Sequence, residues 1–229
     1  IDAFPLKWRD VNFTGRFTPF RHLAFFPEQA ANWEWLDGRM RAFAPSAGRA
    51  PKILNLFGYT GVASLACAAA GAEVTHVDAS KKSVAYAREN AEQSGLADRP
   101  IRWIVEDARK YVAREVRRGS RYDGVILDPP KYGRGPTGEV WRLFEDMPGL
   151  LKDCAALLAD DADGAVTELE EAGQRLQLAR RGQGPRRADA RPFLQDHVQH
   201  PLRQGAGIGS AVVGDGDHRH LVAGHAQEL

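Results

Sequence analysis

Cysteine is scarce in this chain of 229 residues, which contains only Cys67 and Cys154. Two cysteines are too few for a disulfide scaffold and fit a reducing compartment, so we expect a cytoplasmic protein whose thiols lie in the core. No apolar run reaches the roughly 18 residues that a membrane-spanning helix needs. The chain also lacks a signal-peptide pattern and an initiating Met, and we expect its true start to lie upstream of Ile1.

An excess of charge of one sign is missing as well. The chain has 31 basic and 30 acidic residues, a net charge of +1, which argues neither for nor against a nucleic-acid partner. Hydrophobic residues make up 43% and charged residues 27%. This ordinary globular mixture excludes collagen, a coiled-coil rod and a wholly disordered chain.

Composition changes twice along the chain and predicts three stretches. Residues 1–45 hold ten of the twenty aromatic side chains, which indicates an arm packed against the next domain. Residues 46–160 form the expected core. Residues 161–229 contain no Lys and a single aromatic, Phe193, but five of the seven His residues. We interpret this atypical tail as a segment read out of frame; the alternative is a divergent, basic RNA-contacting tail. We predict no metal site at His218 and His220.

Four apolar runs in the middle stretch predict β-strands, and a helical pattern follows each run. The predicted strands are residues 52–57, 73–78, 101–105 and 122–127. The predicted helices are residues 62–70, 80–94, 108–117 and 139–158. Alternating strands and helices favour a doubly wound, mostly parallel α/β sheet. The fold also needs a fifth strand after Leu158 and a closing antiparallel pair, and we expect these C-terminal strands to be missing or disordered.

The predicted strands all end in polar or glycine-rich turns, where open α/β sheets bind their ligands. The turn after the first strand is Asn55-Leu56-Phe57-Gly58-Tyr59-Thr60-Gly61, and its glycines would let the backbone approach a ligand. Asp78 ends the second strand, 23 residues after Asn55, where an acidic residue accepts hydrogen bonds from ribose hydroxyls. Asp107 follows the third strand, and Asp128 the fourth.

Each feature also has a purely structural interpretation. Gly58 and Gly61 could serve packing alone, and Asp78 or Asp107 could be a helix cap. The glycines do not complete the G-x-G-x-x-G pattern of a dinucleotide site, and the P-loop pattern is absent. The four features together, in order and each at a strand end, favour a nucleoside ligand without phosphates.

These motifs resemble those of the class I S-adenosylmethionine-dependent methyltransferases. The chain is most similar to the large-subunit ribosomal RNA methyltransferase-like branch, which has LNLFxYTG, VDxS, EDA and DPPK-aromatic motifs. The corresponding segments here are residues 54–61, 77–80, 106–108 and 128–132, and the resemblance covers residues 20–158. It implies a Rossmann-like methyltransferase sheet, S-adenosylmethionine as cofactor and an RNA base as substrate.

The resemblance also implies roles for particular residues. It places the cofactor on Gln29, Asn55, Phe57, Gly58, Thr60, Gly61, Asp78, Ala79, Asp107 and Ala108. It places the target base on Asp128, Pro129, Pro130 and Tyr132, with the aromatic ring stacked on a base taken out of its helix. Lys131 separates the second proline from Tyr132, whereas adenine N6 enzymes commonly put the aromatic directly after that proline. Packing within the loop is the other interpretation of Tyr132.

Two other functions remain open at this point. One is a truncated, non-catalytic domain that binds cofactor or RNA; the other is a nicotinamide-dependent oxidoreductase, which the missing third glycine and the DPPKY motif disfavour. Methylation of pyrimidine C5 needs a thiolate nucleophile. Cys67 and Cys154 fall in predicted helices, and their pattern is that of core residues.

Overall fold

The computed structural model describes residues 3–17, 23–159, 210–212 and 220–222. The chain divides into two compact units, Ile1–Ala108 and Arg109–Leu229. Within the described ranges, no helix combines the length and the hydropathy needed to cross a membrane.

The first unit begins with an antiparallel hairpin, followed by a helix. Strands β1 (Ala3–Trp8) and β2 (Val11–Arg16) pair antiparallel, and a 3-10 turn (Pro27–Gln29) leads into helix α1 (Ala30–Ala47). Because side chains alternate across a strand, β2 buries Val11 and Phe13 on one face.

Parallel strands and covering helices make up the rest of the first unit. In chain order they are β3 (Lys52–Leu56), α2 (Val62–Ala69), β4 (Glu73–Asp78), α3 (Lys81–Gln93) and β5 (Ile101–Val105). Ile53 pairs with Val74, and Val74 pairs with Ile101, so the carboxyl ends of the three strands lie at one edge. Within this unit the strands have the order β5-β4-β3, and a further strand, β6 (Gly124–Leu127), belongs to the second unit. The prediction of a doubly wound, mostly parallel α/β fold is confirmed.

The aromatic arm is an integral part of the first unit. Val11, Phe13 and Trp33 lie in one buried cluster with side chains of α2 and α3. Polar contacts reinforce this packing. The backbone N–H of Asn12 donates to Ser94 Oγ at 2.9 Å, and Asn90 Oδ1 accepts from the N–H of Thr14 at 3.2 Å. Residues of the aromatic arm therefore pack against α2 and α3 within the first unit.

The second unit contains a β-hairpin that the sequence did not predict. Helix α4 (Ala108–Arg118) and strand β6 are followed by β7 (Tyr132–Arg134) and β8 (Val140–Arg142), which pair antiparallel. Helix α5 (Leu143–Leu157) comes next. The predicted helix start at Glu139 is therefore wrong, because Glu139 closes the hairpin turn: its carbonyl accepts from the N–H of Gly135 at 2.8 Å.

One isolated parallel β-bridge follows α5, at the point in the chain where the fold requires a fifth strand. Leu158 forms a parallel bridge with Tyr122: the N–H of Tyr122 donates to the carbonyl of Leu157 at 2.9 Å, and the N–H of Ala159 donates to Tyr122 at 2.9 Å. In the tail, β9 (Ser210–Val212) and β10 (His220–Val222) form a separate antiparallel pair. The predicted change of reading frame concerns residues 161–229. Apart from β9 and β10, residues 160–229 lie outside the part of the chain that the structure describes.

Candidate functional site

The turn after β3 has an unusual backbone conformation. Phe57 has φ +56° and Tyr59 has φ +47°, a region that non-glycine residues rarely adopt. The N–H of the intervening Gly58 donates to Val77 at 3.1 Å, and the N–H of Gly61 donates to Gly58 at 2.9 Å. Such conformations cost about 1–3 kcal/mol each, persist only where their surroundings enforce them, and cluster at functional sites.

The two glycines of this turn are required by close packing inside the protein. A Cβ on Gly58 would lie 2.5 Å from two ring atoms of His76, and a Cβ on Gly61 would lie 2.7 Å from the Cβ of Ala87. Gly61 also has φ +85°. Close packing inside the protein therefore accounts for both glycines, and the approach of a ligand to the backbone of this turn stays a prediction.

Asp78 connects the ends of β3 and β4 through its carboxylate. Oδ2 accepts a hydrogen bond from the N–H of Tyr59 at 2.9 Å, and Oδ1 accepts from the N–H of Ser80 at 2.8 Å. Burial raises the pKa of Asp78 above its usual range, and these two hydrogen bonds partly oppose that shift. A carboxylate offers about four acceptor positions. Two are occupied here and the side chain is partly exposed, so Asp78 fits an acceptor for a ribose diol.

A buried polar chain lies beneath the turn. Asn55 Nδ2 donates to Ser64 Oγ at 2.8 Å, and Ser64 Oγ lies 3.0 Å from His76 Nδ1. Asn55 is 2% exposed, so its side chain supports the turn from inside. His76 packs on Trp103 with ring centroids 5.0 Å apart, and burial lowers its pKa from 6.5 to about 3. The imidazole is therefore neutral at physiological pH.

Other predicted cofactor residues surround the same turn. Thr60 is buried; its hydroxyl donates to the carbonyl of Ala24 at 2.7 Å, and its own carbonyl accepts from Asn90 Nδ2 at 2.9 Å. Gln29 is also buried, and its Oε1 accepts from Asn32 Nδ2 at 2.6 Å. The hydroxyl of Thr60 and the amide oxygen of Gln29 therefore already stabilise the fold, and their contact with a cofactor stays a prediction.

The end of β5 adjoins the same edge of the sheet. The N–H of Glu106 donates to the carbonyl of Asp78 at 3.1 Å, which joins the ends of β4 and β5. Asp107 and Ala108 are each 5% exposed, and α4 begins at Ala108. Asp107 thus directly precedes the helix, where a carboxylate is also suited to capping. Ala79 lies between Asp78 and the α3 cap, Ser80.

In the second unit, the predicted substrate loop leads from β6 into the hairpin. Asp128 is partly exposed, Pro129 is buried and Pro130 is exposed. The carbonyl of Pro130 accepts from Trp141 Nε1 at 2.6 Å, so the loop is fixed by its backbone. Tyr132 begins β7 with 53% of its surface exposed. This exposure leaves much of the ring accessible to a ligand, and the role of Tyr132 stays a prediction.

Three features of these sites escaped sequence reasoning. His76 and Ser64 support the turn from below, and the N–H of Tyr59 binds Asp78. The available signal for His76 was a histidine in the middle of a predicted strand, directly before Val77. The hairpin that presents Tyr132 has a signal too, the residues 135–138, Gly-Pro-Thr-Gly, between two short runs with aromatic side chains.

The fold and these motifs define an α/β protein of the class I methyltransferase type, and comparisons agree. The chain belongs to the family described as Conserved hypothetical protein 95, which matches residues 30–184. The chain is similar to a crystal structure of the SAM-dependent methyltransferase from Agrobacterium tumefaciens, with 45% sequence identity and a TM-score of 0.72. The match covers 92% of this chain and 61% of the chain in that crystal structure. The predicted resemblance is confirmed.

Two curated relatives share shorter segments. The ribosomal RNA large subunit methyltransferase I of Aeromonas salmonicida is 37% identical over 84 residues, which is 36% of this chain and 21% of the relative. The ribosomal RNA large subunit methyltransferase K/L of Shewanella baltica is 31% identical over 127 residues, 55% of this chain and 17% of the relative. The matched segment therefore spans about a fifth of the length of each relative.

Proposed function

We propose that the protein is an S-adenosylmethionine-dependent methyltransferase that modifies a base in RNA. The observation that carries this proposal is the strained turn after β3, whose residue Tyr59 is bound to Asp78 at the end of β4. A backbone conformation that costs free energy, joined to a partly exposed carboxylate at the ligand-binding edge of the sheet, is expected of a binding site.

In this proposal the first unit holds the cofactor. Asp78 accepts hydrogen bonds from the ribose hydroxyls, and Asp107 accepts from the adenine amino group. The Phe57–Gly61 turn, fixed from below by His76, presents its backbone to the remaining part of the cofactor. When bound, S-adenosylmethionine supplies a methyl group on a sulfonium, which is transferred by in-line displacement. Positioning dominates the rate of such a reaction.

The loop after β6 receives the target base. Asp128 accepts a hydrogen bond from an exocyclic amine of the base, and the exposed ring of Tyr132 stacks on the face of the base. Because Trp141 holds the carbonyl of Pro130, the loop loses little freedom when a base binds. The chain therefore contributes orientation of the acceptor rather than a covalent intermediate.

RNA is the substrate we favour because both curated relatives carry names of ribosomal RNA methyltransferases. Tyr132, exposed in a loop with basic neighbours, suits an unstacked base better than a small metabolite. An RNA substrate of this kind also favours a cytoplasmic location.

Calorimetry with S-adenosylhomocysteine and, separately, with NAD tests the cofactor. We expect binding of S-adenosylhomocysteine and none of NAD; the reverse result would favour an oxidoreductase. Incubating the chain with S-adenosylmethionine labelled in its methyl group and with total RNA then tests the reaction. Cofactor binding without label in RNA would indicate the non-catalytic alternative or another substrate, and a panel of RNA, protein and small-molecule acceptors would separate these two outcomes.

A further inference from the structure

The β7–β8 hairpin has one face in the protein and one face in solvent. Gly133 pairs with Trp141, which is 2% exposed, so this pair lies on the buried face. Tyr132 pairs with Arg142 on the opposite face, and Arg134 shares that face because side chains alternate along a strand. Tyr132, Arg134 and Arg142 are all exposed. An aromatic ring and two guanidinium groups therefore occupy one solvent-facing surface.

The charges on this face are available to a ligand. The side chain of Arg134 makes no ion pair or hydrogen bond among the described residues. Arg142 pairs with Glu145 at 3.0 Å, but 58% and 66% of these two side chains are exposed. Because water screens an exposed ion pair of this kind, Arg142 can leave Glu145 and bind another anion at a small cost in free energy. Lys131 adds a third exposed basic group next to Tyr132.

The hairpin is held rigidly in the second unit. Arg109 Nη2 donates to the carbonyl of Val140 at 2.7 Å, and its Nη1 donates to Asp146 Oδ1 at 2.5 Å. Asp146 Oδ2 in turn accepts from the N–H of Arg142 at 2.7 Å. At the turn, the Glu139 carboxylate binds Lys110 and accepts from the N–H of Thr137 at 3.0 Å. Among the residues that the structure describes, none of these contacts covers the face that carries Tyr132.

We propose that this face of the hairpin binds single-stranded RNA next to the target nucleotide. Arg134 and Arg142 would contact two backbone phosphates, while Tyr132 stacks on a base between them. Basic side chains beside an exposed aromatic ring are the combination by which proteins bind unpaired strands. A duplex offers phosphates but keeps its bases stacked, so the surface favours a single strand. This inference rests on the proposed function, and it adds the element that binds the substrate backbone.

The test measures RNA affinity at several salt concentrations for the whole chain and for the double variant Arg134→Gln/Arg142→Gln. The probes are a mixed-sequence single-stranded RNA of fifteen nucleotides and the duplex of the same sequence. Each phosphate contact to a single strand contributes about 0.7 to the slope of log K against log salt. We expect the double variant to reduce the slope by about 1.4 and to weaken binding roughly tenfold at low salt.

Two further variants make the test specific. Arg99→Gln/Arg117→Gln removes the same charge from exposed positions outside the hairpin and should leave the slope unchanged. Tyr132→Ala should weaken binding of the single strand without changing the slope, because stacking releases no counterions. Affinity for S-adenosylhomocysteine should stay within about twofold of the original chain in every variant.

The inference is overturned if the slope does not change in the hairpin variant, if both double variants change it equally, or if the original chain binds no RNA or prefers the duplex. Loss of S-adenosylhomocysteine affinity in the hairpin variant would also overturn it, since the arginines would then act in folding. Failure of the original chain to bind S-adenosylhomocysteine is a different result, which contradicts the proposed function itself.

Discussion

Gly58 lies directly against the imidazole of His76. A Cβ at position 58 would be 2.5 Å from both Cε1 and Nδ1 of the ring. Nδ1 also lies within hydrogen-bond distance of Ser64 Oγ, at 3.0 Å. Rotation of the ring away from Gly58 would therefore break this hydrogen bond. The glycine and the histidine therefore fix each other, and through them the strained turn that carries Phe57 and Tyr59 is fixed to β4.

We predict that Gly58→Ala destabilises the protein. The added methyl group would displace a fully buried ring, and overpacking of this kind costs about 1–3 kcal/mol. Denaturant unfolding measures the loss. Gly38→Ala is the matched control, since nothing lies within 4 Å of its added Cβ in α1 and alanine favours a helix by about 1 kcal/mol over glycine. Equal stabilities of the two variants would contradict the close contact.

His76 should make the free energy of unfolding depend on pH. Its pKa is about 3 in the folded chain and about 6.5 when exposed, so the unfolded chain binds the extra proton between these values. Stability from the neutral imidazole is thus complete above about pH 6.5 and is lost as the pH falls towards 3. Urea unfolding at several pH values measures this. Glutamine does not titrate, so the free energy of unfolding of His76→Gln should depend less steeply on pH, by the equivalent of up to one bound proton. An unchanged pH dependence would refute the prediction.

The parallel strands could be predicted because each is a short segment rich in β-branched or other apolar residues that ends in a turn or an acidic residue. Residues 73–78 and 101–105 were predicted with the bounds that the structure shows. The β7–β8 hairpin could not be predicted in the same way. Its strands have three residues each, and β7 contains a glycine and an arginine, so periodicity is too short to indicate a strand.

The candidate site was predicted only at the level of its location. The strand ends identify the ligand edge, but which groups have partners depends on contacts far apart in the chain. Asn55 Nδ2 donates to Ser64 Oγ nine residues away, and the hydroxyl of Thr60 donates to the carbonyl of Ala24 in the arm. Whether either residue also contacts the cofactor stays a prediction. Hydrogen bonds between residues far apart in the chain cannot be predicted from the sequence of one strand.

Asp78→Asn should weaken binding of S-adenosylhomocysteine about tenfold or more. Loss of the charge removes hydrogen bonds that are worth roughly 1.5–3 kcal/mol when the acceptor is ionised. Since burial raises the pKa of Asp78, binding should also weaken on acidification at a pH above the ordinary value of 3.8. Calorimetry measures both effects.

Ser80→Ala is the control for the Asp78 variant. Ser80 Oγ accepts from the N–H of Ser83 at 3.1 Å and caps α3 two residues from Asp78. Loss of an N-cap costs about 1 kcal/mol, so both variants lower stability locally. If the two variants weaken cofactor binding equally, Asp78 acts through the fold and does not contact the ribose.

Asp128→Ala should reduce methyl transfer far more than cofactor binding. The proposal assigns Asp128 to the acceptor base, so its removal should leave the dissociation constant of S-adenosylhomocysteine within a few fold. Turnover on RNA should fall at least about tenfold, the equivalent of one charged hydrogen bond. Single-turnover kinetics with an RNA that the original chain methylates measures this loss, with Arg99→Gln as the control. Full turnover by Asp128→Ala would show that this loop is structural.

Neither cysteine should react in the native protein. Burial raises the pKa of Cys67 to about 12 and raises that of Cys154 further, so almost no thiolate exists at neutral pH, and thiolate is the reactive form. We predict that iodoacetamide labels neither residue in the native chain and labels both after unfolding, as mass spectrometry would show. The double variant Cys67→Ala/Cys154→Ala should retain methyl transfer, because neither thiol can attack a pyrimidine. Rapid labelling of the native chain, or loss of transfer in a variant that still folds, would mean that one of these thiols takes part in the chemistry.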